Sequence, residues 1–248
     1  MKRILLMTGC VIFWMVSVAA AAEISVKPMY WKPDLNAEAK IQKSSVGEKV
    51  DFVNELGLDN ESIPGITVDL KLGRSQHFLL SYWSVGYDNH NQNLKTKVRF
   101  NGETFSVGTK VSTTLDLDAL GAGYAFDLLQ SESFRAGFIL NVNYYSIYAK
   151  LKSSMTSTDN KANLVLPMPG IRLGAGFLQN KVELTGQLTG LWWKGSGFWD
   201  GNVELSYRPI NNLSFALGYR AIHFDISDNG DRANVKLEGP SVSATLRF

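Results

Sequence analysis

Cysteine is almost missing from this chain: Cys10 is the one example among 248 residues. That excludes a disulfide framework and a cysteine-rich metal centre, and removal of the leader described below would also exclude a catalytic thiol. Net charge is missing as well. The formal charge of +2 is carried by Lys2 and Arg3, and residues 23–248 balance, so the chain has no electrostatic hold on DNA or RNA. No run of about 18 consecutive apolar residues follows Glu23, so no transmembrane helix is expected there. Histidine is scarce, at three residues, and no His/Asp spacing suits a preorganised transition-metal site. Neither a metal nor a cofactor is expected. With 45% hydrophobic and 19% charged residues the composition is that of a folded chain rather than a disordered one.

What is present begins with a leader. Lys2-Arg3, a mostly apolar run from Ile4 to Val18 and the small residues Ala20-Ala21-Ala22 read as a secretory signal over residues 1–22. The mature domain is then 23–248. Leu6 to Cys10 loosely imitates a lipid-attachment box, but it would strand the longer apolar run behind the cysteine.

Beyond Glu23 helical periodicity gives way to alternation with period two. In Val182-Glu183-Leu184-Thr185-Gly186-Gln187-Leu188-Thr189 the even positions are apolar or small and the odd ones polar or charged. Residues 66–72, 203–208 and 213–220 repeat the pattern. A soluble sandwich would bury the apolar face against a second layer, and the sequence supplies no helices to form one. Lipid outside and a polar lumen inside satisfy both faces. The pattern predicts an all-β, antiparallel, up-and-down transmembrane barrel of about ten strands, or eight if some segments belong to loops. The ten are 23–31, 64–73, 77–88, 106–126, 133–149, 164–178, 181–193, 198–209, 213–226 and 233–248. Long or polar connections at 32–63, 89–105, 150–163, 194–197 and 227–232 follow the odd strands, and short turns follow the even ones. Both termini are therefore expected on the short-turn, periplasmic side. Tyr82, Tyr124, Phe126, Phe138, Tyr144, Trp192, Tyr207 and Tyr219 are placed to form interface girdles. In the fourth strand Leu115 and Leu117 put the apolar face on odd positions while Tyr124 and Phe126 put it on even ones, which predicts a bulge near Gly121-Ala122-Gly123.

The chain ends Val242-Ser243-Ala244-Thr245-Leu246-Arg247-Phe248, with alternating apolar residues and a terminal aromatic. This resembles the C-terminal signature of bacterial outer-membrane β-barrel proteins. The resemblance implies residence in the outer membrane of a Gram-negative cell, contact with its lipid and lipopolysaccharide, and recognition of Phe248 by the barrel-assembly machinery. It identifies a class and no particular activity.

Inward positions of the expected strands carry Lys27, Asp69, Lys71, Arg135, Arg172, Glu183, Gln187, Glu204, Arg208, Arg220 and Arg247. In so narrow a barrel these mixed charges are expected to fill the lumen as a salt-bridge network rather than line an open pore. For catalysis the residues of interest are Asp116 and Asp118 on one strand and His223 and Asp225 on another. Omptin-type outer-membrane proteases set a carboxylate pair opposite an Asp/His pair to activate water. Here the order is His-x-Asp, and His223 and Asp225 share the parity of the lipid-facing Leu217 and Tyr219. Lipid-modifying barrels use Ser and His near the outer rim, but no serine motif adjoins Asp88 and His90, and His77 falls at a turn.

Within the first connection, Asp51 to Asp59 includes Phe52, Val53, Leu56 and Leu58, more apolar surface than a free loop leaves in water. The segment is expected to tuck into the barrel mouth. The functional expectation is a non-enzymatic barrel with an envelope-structural, surface-interaction or restricted small-solute channel role, porin-like in form. The alternative is a surface-facing enzyme of omptin-like or lipid-modifying type.

Overall fold

The computed structural model describes residues 22–40, 49–228 and 231–248; the expected leader lies outside them except for Ala22. Alternation produces strands almost throughout: β1 (Ala22–Trp31), β2 (Asp34–Lys40), β3 (Lys49–Asp51), β4 (Ile63–Leu72), β5 (Gln76–Asn93), β6 (Val98–Phe100), β7 (Glu103–Phe105), β8 (Lys110–Gln130), β9 (Phe134–Lys152), β10 (Ser157–Phe177), β11 (Val182–Trp193), β12 (Ser196–Ile210), β13 (Leu213–Asp228) and β14 (Asp231–Arg247). β1, β4, β5 and β8 to β14 pair antiparallel in that order, and β1 pairs with β14 to close the ring. The barrel has ten strands, which retires the eight-stranded alternative.

Both described chain ends and the connections 73–75, 131–133, 178–181 and 211–212 lie at one end of the barrel, here the turn end. The other connections lie at the opposite, loop end. Two of them depart from expectation: the stretch 227–232 is paired strand as far as Asp228↔Asp231, and 150–163 is the larger case. The polar stretch 150–163 is not a long loop, because β9 and β10 continue through it in register, from Ser157↔Lys152 to Ala175↔Phe134. Only residues 153–156 turn. Strand pairing satisfies the backbone there whether or not lipid covers the side chains, so polarity alone does not end a strand.

Side-chain parity holds around the ring. Ile24, Ile66, Leu80, Phe138, Leu205 and Leu217 are among many exposed apolar side chains on the outer face. Tyr30, Tyr82, Tyr144, Tyr207 and Tyr219, all exposed, stand among them. The expected bulge at Gly121-Ala122-Gly123 is absent: β5 and β8 pair without interruption from Gln76↔Phe126 to Asn89↔Thr113. Leu115 and Leu117 face inward and are buried, while Asp116 and Asp118 face out. The apolar side of β8 changes because its surroundings change: lipid-facing at the turn end, core-facing at the loop end.

That core is the main departure from a charge-filled lumen. Inward side chains of the loop-end half, among them Trp31, Trp83, Leu117, Tyr145, Met168, Ile222, Phe224 and Leu237, form one apolar cluster. The first connection contributes to it. β2 continues the line of β1 along β14 after a bend at Lys32-Pro33, with Ala37 paired to Val235. A Cβ on Gly239 would collide with the Lys32 carbonyl and the Pro33 backbone, so glycine allows this bend to seat on β14. Asp51 Oδ1 accepts the backbone N–H groups of Val53 and Asn54, both at 2.9 Å, which turns the chain inward. Asn60 ties the return to β2, donating to Asp34 Oδ1 at 2.7 Å and accepting from Leu35 N at 2.8 Å. Leu58, 1% exposed, joins the main core. Leu56, 2% exposed, joins a second cluster with Leu94, Val98, Phe105, Val111 and Leu151. There the β6–β7 hairpin folds over the mouth, and Asn101 Nδ2 donates to the Asp159 carbonyl at 2.9 Å.

Candidate functional site

Period-two alternation points every second residue into the lumen, and at the turn end those residues are charged. They surround a chamber of about 560 Å³ whose wall includes Lys27, Asp69, Lys71, Arg135, Arg172, Glu183, Glu204, Arg208 and Arg247. Its lining reaches Asn211, Asn212 and Phe248 at the rim. Most of the charges are paired across strands. Lys27 Nζ lies 3.0 Å from Glu204, Arg135 Nη2 2.7 Å from Glu183 Oε1, and Arg172 Nε 3.3 Å from Asp127 Oδ1. Arg247 donates to Ser214 Oγ at 3.2 Å and stands 3.8 Å from Glu23. His77 is buried between two carboxylates, with Nδ1 3.0 Å from Asp69 Oδ2 and Nε2 3.4 Å from Asp127 Oδ2. The pairing crosses adjacent and non-adjacent strands, so these charges brace the lower barrel.

Above the chamber the lumen is closed by rings. Trp31 meets Trp83 edge-on at 6.3 Å between centroids, Trp83 meets Tyr145 at 6.2 Å, Tyr145 meets Phe224 at 5.0 Å and Phe224 meets Phe198 at 5.8 Å. Tyr145 on β9 and Phe224 on β13 are not on neighbouring strands, so their contact spans the lumen. Gly65, between Met29 and Trp83, has no room for a Cβ, which would lie 2.9 Å from the Met29 methyl and 3.2 Å from Trp83 Cβ. Arg220 sits beneath this layer. Its guanidinium donates from Nε and Nη2 to Asp200 at 3.1 and 2.7 Å and lies 5.2 Å from the Trp31 ring centroid. Trp31 Nε1 in turn donates to the Gly239 carbonyl at 3.1 Å. A bidentate ion pair plus a cation–π contact holds this charge beside the apolar layer. Arg220 is therefore not part of the open chamber's wall, unlike the other cations expected in the lumen.

The residues considered for catalysis are not brought together. Asp116 and Asp118 lie on the outer face of β8 above the apolar band, where Asp118 Oδ1 accepts from the Tyr82 hydroxyl at 3.2 Å. Burial, then the like charges of Asp88 and Asp118, push the Asp116 carboxyl up. His223 and Asp225 occupy the outer face of β13, because β13 keeps one phase against both neighbours. Trp199 Nε1 donates to His223 Nδ1 at 3.2 Å, and Asn234 Nδ2 lies 3.1 Å from His223 Nε2. β8 and β13 lie on separate parts of the ring, so no cleft joins the two pairs. His90 and Asp88 are exposed at the loop end.

Sequence reasoning missed Asp127, His77, Asp200 and Glu23 as members of the lumen network. Parity would have found all four: Asp127 follows the odd phase of Leu115 and Leu117, His77 that of Trp83 and Val85 on β5, Asp200 the phase of Glu204, and Glu23 that of Lys27. Among the described residues no group of three or more His, Cys, Asp or Glu side chains is placed to hold a metal ion.

No family model matches the chain, and no curated protein matches it. Solved structures do. The outer-membrane protease OmpT of Escherichia coli is similar at a TM-score of 0.69 with 9% identity, over 91% of this chain and 97% of that one. The translocator domain of the autotransporter NalP of Neisseria meningitidis reaches 0.49 at 10% identity, over 98% and 97%. Ail of Yersinia pestis, the attachment invasion locus protein, reaches 0.37 at 10% identity, over 92% and 99%. At these identities the likeness is one of fold: the chain has the closed antiparallel barrel of bacterial outer-membrane proteins.

Proposed function

We propose that this protein is an integral outer-membrane barrel with its turn end toward the periplasm, a closed lumen, and a role in envelope structure or surface interaction carried by its tall loop-end wall. The observation that carries the reading is the apolar core inside the loop-end half of the barrel. The aromatic chain from Trp31 to Phe198 crosses the lumen, and the buried Leu56 and Leu58 add a second cover. Ions crossing such a layer would lose their hydration with nothing polar in exchange. The outer face supports the membrane placement, since apolar side chains remain exposed around the ring and need lipid.

The enzymatic alternative lacks support at its chosen residues, because Asp116, Asp118, His223 and Asp225 point outward on separate strands. Lipid and lipopolysaccharide are the expected surroundings of the band. Phe248, exposed at the turn end, is the element offered to the assembly machinery. Planar-bilayer recording of the refolded full-length mature chain tests the closed-lumen reading: silence is expected, and steady open channels would replace it with a diffusion pore.

A further inference from the structure

The turn-end chamber holds more cationic side chains than its carboxylates engage. Lys27, Arg135 and Arg172 are each committed to a carboxylate at 3.3 Å or less. Arg208 is not: its Nε is buried in the chamber wall without a hydrogen-bond partner. A buried guanidinium N–H left unpaired costs free energy unless something absent from the bare chain accepts its proton. Beyond Tyr207↔Phe215 the register shifts before Ile210↔Leu213, so Arg208 and Pro209 together stand opposite Ser214, and Ser214 Oγ is the atom to which Arg247 donates. Two arginines, from the strands on either side of β13, thus line the stretch of chamber wall that holds Ser214. Arg247 is itself loosely held, at 3.8 Å from Glu23. Lys71, on the same chamber wall, also has no side-chain partner among the described residues.

We propose that this chamber binds a small phosphate-bearing anion through Arg208 and Arg247, with the Ser214 hydroxyl between them and Lys71 adding charge. Two planar guanidinium forks suit a tetrahedral polyanion, whose several oxygens can accept from both while the hydroxyl fills a further position. The carboxylates of Glu183 and Glu204 do not oppose such a guest strongly, because Arg135 and Lys27 already neutralise them. The apolar layer above the chamber makes it a blind site entered from the turn end, which the orientation in the preceding subsection makes periplasmic. The phosphate could belong to a free solute or to a lipid headgroup of the adjoining leaflet, and the chemistry of capture is the same.

Calorimetric titration of the refolded full-length mature chain in a neutral maltoside detergent, first with inorganic phosphate and then with short-chain phosphatidic acid, separates the sources. Saturable binding of phosphate is expected, weakened about tenfold by Arg208→Gln and by Arg247→Gln. Arg208→Lys should fall between, keeping charge without the fork, and Lys194→Gln at the far end should leave binding unchanged. Binding of phosphatidic acid alone, with the same dependence on Arg208 and Arg247, would support the site and assign it to a headgroup. Absence of binding by both probes, or binding indifferent to Arg208→Gln in protein that keeps its heat-modifiable fold, would overturn the proposal. An open pore in bilayers would overturn the closed-lumen reading and leave this result standing, so the two fail separately.

Discussion

At the scale of single residues, the Arg220–Asp200 pair shows how a charge is tolerated beside an apolar layer. Arg220 has two bonds to Asp200 and the face of Trp31, so its charge has partners on two sides. Removal of Asp200 would leave a guanidinium in a poorly hydrated place with only uncharged partners, the Trp31 ring and the Met29 sulfur, to meet it. Asp200→Ala should destabilise the barrel by about 3 kcal/mol, the order found when one partner of a buried pair is lost. The double substitution Asp200→Leu with Arg220→Met should recover much of that loss, since no orphaned charge remains. Urea titration of refolded protein in lipid vesicles measures both. Asp116 illustrates a different case, a charge on the outer face of β8 that is half-buried beside the like charges of Asp88 and Asp118.

At the scale of the strand, what each face meets decides which substitution it accepts. Leu205 is exposed on the outer face, whereas Thr185 lines the chamber. Leu205→Arg should cost about 2–4 kcal/mol where the site lies near the bilayer midplane, and Thr185→Ala far less. Equal tolerance in vesicle refolding would argue against lipid on the outer face. β8 allows a sharper comparison within one strand, because its apolar side reverses along its length. Leu117→Asp would set an unpaired carboxylate in the inner core and should prevent refolding or cost more than about 3 kcal/mol. Asp116→Ala, one residue away, should change stability by less than about 0.5 kcal/mol, as surface changes do. If a bulge redirected the strand, the two effects would be exchanged.

For the whole molecule, the question is what closes the lumen. The first connection supplies Leu56 and Leu58, yet the rings that span the interior come from β1, β5, β9, β12 and β13. Deletion of residues 50–59 should therefore lower the stability of the loop end while leaving steady conductance near zero. Trp83→Ala combined with Tyr145→Ala removes the middle of the ring chain and should produce measurable conductance in planar bilayers. A large conductance after the loop deletion alone would make that segment the gate and the rings mere packing.

Alternation alone indicated the antiparallel ring and which residues share a face, because side chains in a strand must point to opposite sides whatever lies there; the choice of ten strands over eight waited for closure of the ring. Lys27, Asp69, Arg135, Glu183 and Glu204 could be placed in the lumen from parity. Their partners could not be chosen, because pairing between Lys27 and Glu204 crosses from β1 to β12 and depends on the diameter and shear of the closed barrel. That the loop-end half of the interior would be apolar rather than charged was beyond the sequence pattern as well. An apolar residue at Leu117 and one at Phe126 obey the same preference, one answered by the apolar cluster inside the ring and the other by lipid. A bulge was the local explanation for that reversal, and the continuous register of β8 replaced it with a tertiary one: closure of the ring brings enough apolar side chains together at the loop end to exclude water, and at the turn end it leaves a charged chamber.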